Sequence, residues 1–128
     1  MSTLTISPTN GLKPRVSRAL LLSMKNAVLG DTYELSVAFV ESKEIRRLNR
    51  IYRNKDIATD ILSFPLSKKE GEIVFCMKEV EAQAPLFDQT PSHFLLFLFI
   101  HGLCHLKGMR HSATMEREEI TFRKAFEI

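Results

Sequence analysis

Three of the four histidines in this chain fall in the stretch "HGLCHLKGMRH" (101–111). On a helix, His101 and His105 would lie one turn apart on one face, roughly 5–6 Å between Cβ atoms. That spacing lets two imidazole nitrogens converge on one ion at about 2.0–2.1 Å. Gly108 suits the left-handed conformation that ends a helix and reverses the chain. His111 then falls within reach of the same ion. Three neutral imidazoles with a fourth position open suit a catalytic zinc, one per chain, better than a structural one. A lone HxxxH pair is more often two histidines that never meet, but the full H-x3-H-x2-G-x2-H run favours metal. Gly102 stands where peptide-cleaving HExxH helices carry their glutamate, so that general base is missing. The small residue could instead let another segment or a substrate come close. Cys104 reads as helix packing rather than a ligand.

A second group is cationic. Lys43, Arg46, Arg47, Arg50 and Arg53 recur at helical spacing opposite Ile45, Leu48 and Tyr52. A solvated face explains most such stripes. Here no acidic residue after Glu44 neutralises it, so contact with an RNA backbone gains weight. Arg53 can hold a phosphate bidentately and stabilise its developing charge, unless it is spent on an ion pair with Asp56 or Asp60. Thr59 and Asp60 read as satisfying backbone donors ahead of a strand. The acids of "EREE" (116–119) already have a dipole explanation in a helix's first turn.

The elements that must carry these residues follow from periodicity. "LTI" (4–6) is a short strand, and Val16, Ala19, Leu20, Ser23 and Ala27 mark the inner face of a helix ending at Gly30. Tyr33, Leu35, Val37 and Phe39 alternate as a strand. Ser42 can cap the basic helix. "ILSFP" (61–65) and "EIVFCM" (72–77) are strands joined by "SKKEG". Thr90 and Pro91 open a helix that runs to Lys107, and a last helix starts near Thr114. The result is one α+β domain spanning 1–128, a small mixed sheet of about four strands with four to five helices.

Bulk properties agree with a soluble domain. The chain has 128 residues, 45% hydrophobic and 26% charged, with net charge +3, which is enough length for one real core. Its two cysteines give no disulfide framework, so a reducing cytoplasm is the default. "FLLFLFI" (94–100) is too short for a bilayer, and the N-terminus carries no signal-peptide pattern. The positive charge mildly favours an anionic partner.

"HGLCHLKGMRH" resembles the H-G-x-L-H-L-x-G-Y-D-H signature of the YbeY family of bacterial ribosomal-RNA maturation factors. "LNRIYRNKDIATDILSFP" (48–65) is similar to a second family motif, and "GEIVF" (71–75) to the strand that follows it. The resemblance covers roughly residues 33 to 112. It implies a zincin-like metal helix, zinc held by His101, His105 and His111, and a functional role for Arg53 near the metal. It also implies single-strand endoribonuclease activity in ribosomal RNA maturation, with ribosomal RNA and the small subunit or its proteins as partners. Cys104 replaces the usual leucine, and Met109 and Arg110 replace the Tyr-Asp pair, which removes a carboxylate beside the third histidine. The reading that follows is a zinc hydrolase of RNA phosphodiesters. Zinc would lower the pKa of a bound water towards ~7, and Lys43, Arg46, Arg47 and Arg50 would guide the strand. A non-catalytic ribosome-assembly factor with a structural zinc is the alternative. A small-molecule or peptide hydrolase is disfavoured by the basic helix and the missing helix glutamate.

Overall fold

Of the alternating Tyr33, Leu35, Val37 and Phe39, all four side chains are buried and the last three lie on a strand that starts one residue later than expected. It is one member of a four-stranded mixed sheet in the computed structural model, which describes residues 3–7, 16–108 and 112–128. The strands are β1 (Leu4–Ser7), β2 (Glu34–Phe39), β3 (Ile61–Ser67) and β4 (Glu70–Phe75), in the order β1-β2-β4-β3. β1 and β4 both run parallel to β2, while β3 is antiparallel to β4 and forms one edge. The helices are α1 (Arg18–Leu29), α2 (Ser42–Arg53), α3 (Met77–Gln83), α4 (Pro91–Leu106) and α5 (Ala113–Ala125).

Strand alternation divides the core between the two faces of the sheet. Leu35, Val37, Phe39, Ile73 and Phe75 pack with α1, α4 and α5 in one large cluster. Leu62 and Val74 point the other way and meet Ile45 and Leu48 of α2. α4 is apolar around most of its circumference and is buried accordingly, from Phe94 to Leu106, as expected of a helix with no polar stripe. Thr90 caps it by accepting from the His93 N–H, with Pro91 at the first helical position.

Several sequence expectations need correction. In α1 the inner face is Leu21, Met24, Lys25 and Val28, whereas Ala19, Ser23 and Ala27 are exposed and only Val16 and Leu20 of the expected set are half-buried. Leu20, Leu21 and Leu22 are consecutive, so period alone leaves the face ambiguous, and the larger side chains gain more by burial. Ser42 is the first residue of α2 rather than its cap, and its hydroxyl lies 3.5 Å from Cys76 Sγ. Tyr52 is 63% exposed, and the inner position on that turn belongs to Asn49. The amide of Asn49 donates to the Ile57 carbonyl at 2.9 Å, which fixes the loop after α2. β4 ends at Phe75, and Met77 already starts α3, followed by a 3-10 turn at Ala84–Phe87. Neither element was expected, because α3 is too short for periodicity to show.

Lys25 is the least expected core residue. It is fully buried, and its ammonium donates to Thr3 Oγ1 (2.8 Å), Asn26 Oδ1 (3.0 Å) and the Asp31 carbonyl (3.4 Å). One amine thus ties the start of β1 to the α1–β2 connection. Lys25→Ala deletes a buried stem and strands three acceptors, so a loss of about 2–4 kcal/mol is expected in denaturant melts. A loss under about 1 kcal/mol would show that water replaces the amine.

Candidate metal and RNA site

The C-terminal half of α4 places His101 and His105 on one face, with their Nε2 atoms 3.1 Å apart and the rings perpendicular. Two ligands of one tetrahedral ion at about 2.05 Å must sit roughly 3.3 Å apart, so the pair fits a shared divalent ion. Gly108, at φ 93°, ends the helix in the left-handed region as its position suggested. His111, the third ligand expected from the sequence, lies outside the described residues, as do Met109 and Arg110. Among the described residues no three metal-ligating side chains form a cluster.

Both imidazoles face a cleft of about 550 Å³, which Asn49, Arg53, Lys55, Thr59, Ser63 and Pro65 also line. Gly102 explains how β3 reaches this wall. A Cβ there would lie 2.9 Å from Ser63 Oγ and 3.0 Å from Ile61 Cδ1. The missing side chain is therefore filled by the neighbouring strand.

Arg53 lines the same cleft. Its Nη2 donates to the Ser63 carbonyl at 2.8 Å, and its guanidinium lies 6.0 Å from the Phe64 ring centroid. Neither alternative ion pair forms among the described residues. Asp56 instead accepts from Arg46 at 2.9 and 3.2 Å and lies 3.8 Å from Arg50. The Arg46 hydrogen bonds hold the Asp56 carboxyl below its usual range. Asp60 takes backbone donors and the Thr59 hydroxyl, and burial pushes its carboxyl upward despite those bonds and nearby His101.

The remaining cations do not join the histidines. Lys43, Arg46, Arg47 and Arg50 border a separate hollow with Glu41 and Glu44. Arg47 pairs with Glu44, and Arg46 and Arg50 share Asp56. The stripe is therefore partly neutralised, because the loop after α2 folds an acid back onto it. Such exposed pairs contribute little and are readily exchanged for another anion.

Cys104 is buried on the inner side of α4, and burial pushes its thiol up to about 11. Its side chain belongs to the large apolar cluster, in keeping with a packing role. Glu119 of α5, one of the acids given a first-turn dipole explanation, lies beyond the first turn, where only Glu116 falls. It meets His101 Nδ1. Its signal was an acid interrupting the apolar face formed by Met115, Phe122 and Phe126.

The family model described as Endoribonuclease YbeY matches residues 3–128. This chain belongs to the YbeY family. An Endoribonuclease YbeY of Macrococcus caseolyticus is 34% identical over 110 residues, spanning 77% of this chain and 71% of that protein. Another, from Alkaliphilus metalliredigens, is 34% identical over 120 residues, spanning 85% and 77%. A solution structure of a Thermotoga maritima protein superposes on this YbeY-family chain with TM-score 0.64 at 27% identity, covering 97% of this chain and 91% of that one. The α+β architecture and four-stranded mixed sheet are thus those of a known fold.

Proposed function

We propose that this chain is a zinc-dependent single-strand endoribonuclease acting in the maturation of ribosomal RNA, in the cytoplasm and in contact with the small subunit or its proteins. Membership in the endoribonuclease YbeY family supports the reaction class. The observation that supports a metal and phosphate site is the meeting of His101, His105 and Arg53 around one cleft.

In this reading His101 and His105, with His111, hold the ion. When bound, zinc would supply Lewis acidity at a phosphoryl oxygen and activate a water. The chain's own residues do the positioning. Arg53 uses one donor on Ser63 and directs its guanidinium at a phosphate, where charge builds up during cleavage. Lys55, on the same cleft, adds a second cation for the backbone. Arg46 and Arg50 can exchange their exposed pairing with Asp56 for phosphates further along the strand.

Arg53→Ala tests the assignment. RNA cleavage should fall by about 10²–10³, the usual cost of removing one donor to developing charge. Zinc content should hold, and stability should change by no more than about 1–2 kcal/mol for the lost Ser63 bond. A loss of several kcal/mol would instead make Arg53 a structural tie between α2 and β3. Wild-type protein that carries zinc but cuts no RNA, with a chelator control, would favour a non-catalytic assembly factor.

The outer cations have their own test. Arg46→Gln combined with Arg50→Gln should flatten the dependence of log K on log salt, by about 0.7 for each phosphate that is no longer neutralised. Binding should weaken for all sequences alike, because phosphate contacts carry little sequence information. An unchanged slope would remove this face of α2 from the RNA path.

A further inference from the structure

His101 forms a wall between two cavities. On one side is the cleft it shares with His105 and Arg53. On the other is a hollow of about 460 Å³, lined by Phe97, Met115, Glu116, Glu119 and Arg123. The two ring nitrogens divide accordingly: Nε2 meets His105, and Nδ1 meets the Glu119 carboxylate.

We propose that Glu119 is a positioning residue for His101, fixing its imidazole so that the Nε2 lone pair is aimed into the cleft. A carboxylate can only accept, so its contact selects the tautomer with the proton on Nδ1. Nε2 is then left with its lone pair for a metal. The same bond restrains rotation of the ring about its Cβ–Cγ axis. Glu119 is well placed to do this, because its side chain is only 12% exposed and α5 is packed against α4 through Met115. A largely buried carboxylate bound to imidazole is a far better orienter than a solvated one, since little water competes for the proton. Arg110 stands beside His111 in the sequence, so the chain has no acid at that position. Glu119 gives a carboxylate to His101 instead, from α5, while the imidazole stands on α4.

The inference deepens the zinc reading, but it has a readout that needs no metal. Full-length protein labelled with ¹⁵N, stripped of metal and held above the imidazole titration range, reports the tautomer of each ring by long-range ¹H–¹⁵N spectra. His101 should carry its proton on Nδ1 in the wild type. Glu119→Gln, which keeps an accepting oxygen, should preserve that tautomer. Glu119→Ala should shift His101 toward the Nε2–H form that free imidazole side chains favour. In a chelator competition, zinc affinity should fall about 10–100-fold for Glu119→Ala, and less for Glu119→Gln. Unchanged tautomer and affinity in Glu119→Ala, with only a lower melting midpoint, would overturn the proposal and leave Glu119 as a fastener of α5. If no form binds zinc while the tautomer still shifts, the zinc reading falls and the orienting role stands.

Discussion

Alanine at His105 is expected to lower zinc affinity by more than about 100-fold and to abolish RNA cleavage, while the metal-free protein melts almost as the wild type does. Loss of a group that merely hydrogen-bonds a ligand costs about 10–100-fold, so loss of the ligand itself costs more. Stability should be spared because His105 lies in the last turn of α4, half-buried at the edge of the cleft. Within the site it meets His101 Nε2, at 3.1 Å. Alanine is also the best helix former, so the backbone loses nothing. Zinc stoichiometry, chelator competition and cleavage of a single-stranded RNA should fall together. A variant that keeps zinc and cleavage would show that the two imidazoles meet for another reason.

Valine at Gly102 should be damaging in a different way. An added Cβ would already lie 2.9 Å from Ser63 Oγ, 3.0 Å from Ile61 Cδ1 and 3.1 Å from Ile73 Cδ1. Two more methyl groups must push β3 away from α4, at a cost of about 1–3 kcal/mol for overpacking. Arg53 is anchored on the Ser63 carbonyl, so the guanidinium moves with the strand while the histidines stay on the helix. A misplacement of about 1 Å can cost on the order of 10²-fold in rate. Cleavage should therefore drop by much more than the folded fraction does. Gly102→Ala is the milder comparison, since the Ser63 hydroxyl can rotate and alanine regains about 1 kcal/mol of helix propensity. If Gly102→Val cuts RNA at the wild-type rate, the close approach of helix and strand does not set the site.

How much of this was legible in the sequence depends on the range of the interaction. The histidine pair, the Thr90 cap and the Gly108 stop are contained within one helix and its ends, so local spacing reveals them. The strand Glu34–Phe39 shows for the same reason. Relations between elements did not show. That Asp56 folds back onto Arg46 and Arg50 depends on a loop held by Asn49. That Ser63 occupies the space above Gly102 depends on β3 lying at the edge of the sheet. Nothing local marks Lys25 as a core residue, because charge usually predicts exposure. Its three acceptors come from Thr3, Asn26 and Asp31, two of them outside α1. Glu119 was explained by the dipole of its own helix, which hid the fact that it faces another. His111, expected from chain reach to complete the set, lies outside the described residues.

The burial of α4 bears on what chelation would do. Its side chains from Phe94 to Leu106 make up much of the larger core, and the histidines sit at the end of that column. A zinc finger collapses when its ion is removed, because the ion replaces a core. Here the scaffold is built from hydrocarbon, and the helix itself holds the paired rings at their stations. Metal would then add only its mass-action increment to stability, about 2.7 kcal/mol at a free concentration 100 times Kd. Amide exchange along α4 should be the slowest in the molecule and nearly indifferent to metal. Such a protein could lose its ion in a zinc-starved cell, remain intact, and resume work on reloading without being refolded.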